Sequence, residues 1–149
     1  MNKINYAKEV NTIKKLYIIL TLFLILLIPT LTVNASDNIQ ARIGNNYYDT
    51  LEEAIEKATS KDTITLTNNI NLDETLEINK TVNINLNNNT ISANQKVFLI
   101  EGGSLNLTGT GTIRENKPYY GAIVLKGSED ATDKNYSTVS VDSGITLEG

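Results

Sequence analysis

Two adjacent tyrosines, Tyr119 and Tyr120, stand in the segment Lys117-Pro-Tyr-Tyr-Gly121. Exposed aromatic faces stack on sugar rings, and phenolic hydroxyls add hydrogen bonds. The pair is therefore a candidate glycan contact. The plainer reading is that one ring packs on its own chain and the other covers a neighbouring segment. Lyase chemistry on acidic sugars asks for clustered carboxylates holding calcium and a basic residue that takes a proton. Only two arginines exist, Arg42 and Arg114; Arg114 joins Tyr119 and Tyr120 as a candidate ligand contact, and a lyase reading would rest on it alone. Glu129, Asp130 and Asp133 share a polar loop with Lys126 and Lys134. Calcium wants about six to eight converging oxygens, and this is the one acidic group dense enough to consider. An acidic loop is ordinarily just solvated, so no metal and no cofactor is expected.

The other routes to catalysis close quickly. There is no histidine and no cysteine, which removes the commonest general base, the commonest zinc ligand and any disulfide framework. Serine nucleophiles have no histidine partner, and no Gly-x-Ser-x-Gly elbow is present. Glycoside hydrolysis needs two carboxyls about 5–10 Å apart; Asp49, Asp62, Asp73 and Asp142 fall at strand ends and turns without a shared repeat position. Gly102-Gly103 and Gly109-x-Gly111 are turns outside any strand-to-helix context, so they are not phosphate loops. The chain reads as non-catalytic.

The elements that would carry the tyrosines repeat. Ile64-Thr-Leu66, Ile84-Asn-Leu86, Leu105-Asn-Leu107, Ile123-Val-Leu125 and Ile145-Thr-Leu147 place their closing leucines 20, 21, 18 and 22 residues apart. Such a period signals stacked rungs, each burying its apolar side on its neighbours. Strict alternation, as in Val82, Ile84 and Leu86 around Asn83 and Asn85, gives one buried and one wet face. Asn and Gly at the breaks supply the left-handed backbone of sharp corners. A β-sandwich would alternate in the same way, but Leu86-Asn-Asn-Asn-Thr-Ile91 and Leu107-Thr-Gly-Thr-Gly-Thr-Ile113 share one corner construction, which stacking explains. The expected fold is mainly β: a parallel β-helix over residues 61–149. It is preceded over 36–60 by a hairpin around Gly44-Asn45-Asn46 and a capping helix. That helix starts at Thr50 with Glu53 three residues on, or at Asp49, and carries the stripe Leu51, Ala54, Ile55, Ala58.

The ends set the address. Lys3, Lys8, Lys14 and Lys15 precede Leu16–Ile28, an uncharged apolar stretch of 13 residues closed by Pro29, and Val33-Asn-Ala35 ends the segment on a small residue. These three regions in this order describe a secretory signal peptide over residues 1–35, cleaved after Ala35. The apolar stretch is shorter than the roughly 20 residues a membrane anchor needs. The expected location is secreted or at the cell surface, with the membrane met only during export. Without the leader the chain keeps 9 basic and 16 acidic residues, an acidity that disfavours nucleic acid and anionic lipid as partners. At the other end, Ser143 to Gly149 reads as strand and turn with no polar cap. The expectation is a piece of a longer protein, or self-association through the uncapped last rung.

Tyr48-Asp-Thr-Leu-Glu-Glu-Ala-Ile55, Asp62-Thr-Ile-Thr-Leu66, Leu86-Asn-Asn-Asn-Thr-Ile91, Gly103-Ser-Leu-Asn-Leu-Thr-Gly109 and Gly144-Ile-Thr-Leu-Glu-Gly149 resemble the opening of right-handed parallel β-helix proteins of the pectin-lyase-like superfamily. The likeness is closest to secreted and surface proteins of low-GC Gram-positive bacteria and covers residues 39–149. These motifs are structural, so the resemblance implies fold and address rather than an activity. It implies an N-terminal capping helix and a short asparagine ladder at Asn87, Asn88 and Asn89. Family members include polysaccharide lyases, hydrolases and non-catalytic adhesins. The leading functional expectation is an exported, non-catalytic surface or matrix protein: a β-helical adhesin or carbohydrate-contacting module whose partner is a polysaccharide or a host or cell-surface glycan. The alternatives are the front of a polysaccharide lyase or glycoside hydrolase with its active site beyond residue 149, and a truncated, nonfunctional remnant.

Overall fold

The computed structural model describes residues 12–17, 38–117, 119–127 and 136–149. The chain divides into two units, Met1–Ala35 and Ser36–Gly149. In the first, residues 12–17 are helical; most of the apolar stretch and the expected cleavage position at Ala35 lie outside the described residues. Among the described residues no helix is long and apolar enough to cross a membrane.

The second unit opens with an antiparallel hairpin, β1 (Ala41–Ile43) and β2 (Asn46–Tyr48). Gly44 turns it at a φ of 57°, a conformation that costs glycine nothing. The helix Leu51–Lys57 follows. Its start is set by Thr50, whose hydroxyl accepts the Glu53 N–H at 3.1 Å, as the capping pattern requires. The stripe Leu51, Ala54, Ile55 and Ala58 is buried in the main core, and the helix packs on β1, β2 and β3 (Thr63–Leu66). It is seven residues long. Lys80 donates to the terminal carbonyls of Glu56 and Ala58 at 3.0 and 2.9 Å, a cation placed where the helix dipole is negative.

From β3 onward the strands fall into three sheets. The first holds β3, β6 (Thr81–Asn85), β9 (Ser104–Thr108) and β12 (Thr138–Val141), with the hairpin added antiparallel to β3. The second holds β4 (Ile70–Leu72), β7 (Asn89–Ala93), β10 (Gly111–Glu115) and β13 (Ile145–Glu148). The third holds β5 (Leu76–Ile78), β8 (Phe98–Glu101) and β11 (Ile123–Lys126). Each strand pairs with the one three places on, and every such pair is parallel. The chain is thus mainly β with parallel sheets, compatible with a solenoid and not with an antiparallel sandwich. Inward residues of all three sheets, among them Ile64, Ile84, Leu107, Ile91, Ile113, Phe98 and Ile100, join one core. That follows from the alternation: one face of every strand is apolar.

The register corrects the leucine spacing. The first sheet aligns Ile64, Ile84, Leu107 and Val141, so Leu107 stands beside Ile84 and not Leu86. Ile123–Leu125 pairs with Phe98–Ile100 in the third sheet, and Ile145–Leu147 with Gly111–Ile113 in the second. Strands of all three sheets carry similar short apolar triplets, so spacing alone cannot say which sheet a triplet joins. The shared corner is present: Ile91 pairs with Ile113, and Asn88 N donates to Thr110 O at 2.8 Å. Asn87 and Asn88 occupy the left-handed region there. Asn87 and Asn89 bond to the Leu66 carbonyl, at 3.0 and 3.4 Å, rather than to asparagines above them. The stacked pair is elsewhere, on the first sheet, where Asn106 Nδ2 donates to Asn83 Oδ1 at 2.8 Å.

Candidate binding site at the tyrosine loop

The connection from the second sheet to the third grows along the chain. It is three residues after β4 (73–75), four after β7 (94–97) and seven after β10 (116–122). The strands on either side keep their register, with Leu72, Ala93 and Glu115 aligned before it and Leu76, Phe98 and Ile123 after it. The extra residues bring Tyr119 and Tyr120, 86% and 63% exposed. Both residues therefore stand largely in solvent.

Hydrogen bonds pin both ends of the loop. Asn116 N donates to Ala93 O at 2.8 Å, and the Ala122 carbonyl accepts from Val97 N and Phe98 N at 2.9 and 3.1 Å. In its middle the Lys117 carbonyl accepts the Tyr119 N–H at 2.8 Å, and Glu115 Oε1 accepts the Tyr120 N–H at 3.2 Å and, at a longer 3.4 Å, shares that of Tyr119. Lys96, from the shorter connection of the preceding repeat, places its Nζ 5.8 Å from the Tyr120 ring centre, within reach of a cation–π attraction. The result is a pair of wet aromatic faces on a braced loop with a cation at one side. Such a surface can stack on a sugar ring or another flat, partly apolar ligand.

Glu115 is the residue that sequence reasoning missed. It is the one charged side chain buried among the described residues, at 4% exposure. The signal was present: in Ile113-Arg-Glu115 the alternation that buries Ile113 also points Glu115 inward. Arg114, on the opposite face of β10, goes to a surface ion pair, its Nε 2.5 Å from Glu148 Oε2. The structure does not bring its guanidinium to Glu115 by strand geometry, and it serves the sheet edge instead.

Glu129, Asp130 and Asp133 lie outside the described residues. Among the described residues no three His, Cys, Asp or Glu come together as a metal site. Two adjoining hollows of about 250 and 310 Å³ lie between the capping helix and the connection 73–75, lined by Glu52, Asp73, Glu74 and Glu77. Their carboxylates face water, and no side chain there pairs with them to form an acid–base couple. Asp62, at the strand entry below the helix, accepts from the Thr59 hydroxyl at 2.7 Å and the Thr59 N–H at 2.8 Å. These bonds hold its carboxyl below the ordinary 3.8, a turn-stabilising arrangement rather than a catalytic one. No family model, curated protein or solved structure matches the chain.

Proposed function

We propose that the chain is a non-catalytic, exported surface or matrix module of the right-handed parallel β-helix kind, resembling the pectin-lyase-like proteins, and that it contacts glycan through Tyr119 and Tyr120. The observation that carries this reading is the exposure of both rings on a connection lengthened to seven residues and braced by Glu115. Exposed aromatics on a held loop lose little conformational entropy when a ligand stacks on them. Export is supported by the basic, apolar and small-residue order of residues 1–35. The non-catalytic part is supported by the sequence, which offers no histidine, no cysteine and no second arginine near Arg114.

The test uses a glycan array together with soluble pectin, polygalacturonate and chitin oligosaccharides. Binding that falls at least tenfold in Tyr119→Ala and Tyr120→Ala supports the reading. Binding that survives both substitutions removes the tyrosines from it. Release of unsaturated or reducing ends from any of these substrates overturns the non-catalytic assignment.

A further inference from the structure

The second sheet stacks Leu72, Ala93 and Glu115 in one inward-facing column. Two members are apolar, as a core column should be, and the third is a carboxylate at 4% exposure. Its Oε2 is buried without a hydrogen-bond partner. A buried carboxylate with a bare oxygen weakens a core; an apolar side chain of similar size in that place is neutral or better for stability. Packing within the column therefore does not account for a glutamate here.

The neighbouring loop does. A connection of seven residues presents backbone N–H groups that no sheet strand faces, and an unpaired buried N–H is costly. The bonds at Asn116 and Ala122 fix the loop ends. Between them, the Tyr119 N–H goes first to the Lys117 carbonyl at 2.8 Å, and Glu115 Oε1 takes the Tyr120 N–H at 3.2 Å and shares that of Tyr119 at 3.4 Å. Both tyrosine side chains remain largely exposed. A core carboxylate that accepts a loop amide ties the loop to the sheet beneath it.

We infer that Glu115 is a positioning residue: its buried carboxylate sets the tyrosine loop in the conformation that presents both rings to ligand. This rests on the glycan-contact reading above for its purpose, but its geometry can be tested without ligand. The shape of the platform is then specified from inside the core rather than by the loop's own sequence.

The experiment uses the full chain with Glu115→Leu, which restores the residue of the first repeat, Glu115→Asp, which keeps the charge but shortens the reach, and Glu115→Gln, which keeps an acceptor oxygen at full reach. The readouts are thermal melting, amide hydrogen exchange at Tyr119 and Tyr120, and affinity for polygalacturonate and chitin oligosaccharides. In Glu115→Leu exchange at the Tyr120 amide should accelerate at least tenfold and affinity fall, with the melting temperature little changed because the apolar side chain offsets the lost loop bond. Glu115→Gln should keep most of the protection. Should Glu115→Leu not fold, Glu115→Asp carries the comparison, with accelerated exchange expected at the Tyr120 amide and little change at Tyr119, which keeps the Lys117 carbonyl. Wild-type protection at Tyr120 in Glu115→Leu or Glu115→Asp overturns the positioning role. Accelerated exchange with unchanged affinity leaves the positioning role standing and overturns the glycan-contact reading instead.

Discussion

Replacing Gly111 with alanine tests the corner between the first and second sheets. Gly111 has a φ of 153°, and an added Cβ would lie 2.3 Å from the Asn89 carbonyl oxygen and 2.8 Å from Leu86 Cβ. The backbone conformation alone costs an L-residue about 1–3 kcal/mol. The contact with Asn89 is to backbone that is itself in register with Gly111, so relief means moving a strand, an overpacking cost of about 1–3 kcal/mol. Together the loss is about 2–6 kcal/mol, a large share of the roughly 5–15 kcal/mol that holds a domain folded. At about 4–8 °C per kcal/mol for a unit of this size, the melting temperature should fall by at least about 8 °C. Two controls separate the causes. Gly44→Ala meets nothing within 4 Å but has a φ of 57°, and should lose about 1 kcal/mol from strain alone. Gly127→Ala meets nothing within 4 Å and carries no positive φ, and should stay within about 0.5 kcal/mol of wild type. Thermal and urea melts followed by circular dichroism rank the three. If Gly111→Ala loses no more than Gly44→Ala, the tight stacking of the corner on Asn89 is refuted.

Phe98 is fully buried in the third sheet, and Phe98→Ala should cost about 3–5 kcal/mol, against about 1 kcal/mol or less for Leu125→Ala, 45% exposed in β11. Equal urea midpoints for the two would count against the core as described. The Asp62 carboxyl titrates below 3.8 because Thr59 donates to it through its hydroxyl first and its backbone N–H second. A lowered folded-state value means this contribution to stability is present above the unfolded carboxylate value and is lost as pH falls through the folded one. Thr59→Val should move the Asp62 titration, followed by carboxyl ¹³C NMR, back toward 3.8, and an unmoved midpoint would contradict the assigned cause.

Local chemistry was readable from the residues, and long-range register was not. Thr50 and Glu53 marked the helix start, Gly44 the hairpin turn, and Leu86 to Ile91 the corner, because each depends on neighbours in sequence. The capping stripe Leu51, Ala54, Ile55 and Ala58 was legible from its spacing, and all four residues are buried. Past Leu86 the leucine spacing does not give the columns, since connection lengths change between repeats while similar triplets occur in all three sheets. Of the site, the tyrosines stood out by type. Glu115 did not, because its meaning comes from a column shared with Leu72 and Ala93 that only the pairing reveals. The asparagine stack was expected at the corner and lies at Asn83 and Asn106 instead. An asparagine with left-handed backbone is spent on its own turn, whereas one on a flat strand faces its counterpart directly.

Connections here lengthen without disturbing the lattice that frames them. Each doubling of a loop adds only about 0.6 kcal/mol of closure cost, so growth from three residues after β4 to seven after β10 is a minor thermodynamic charge. A longer connection can then add side chains at the rim while the strands that frame it keep their pairing. A lineage built on such a scaffold can alter what it touches many times over without having to solve its folding problem again.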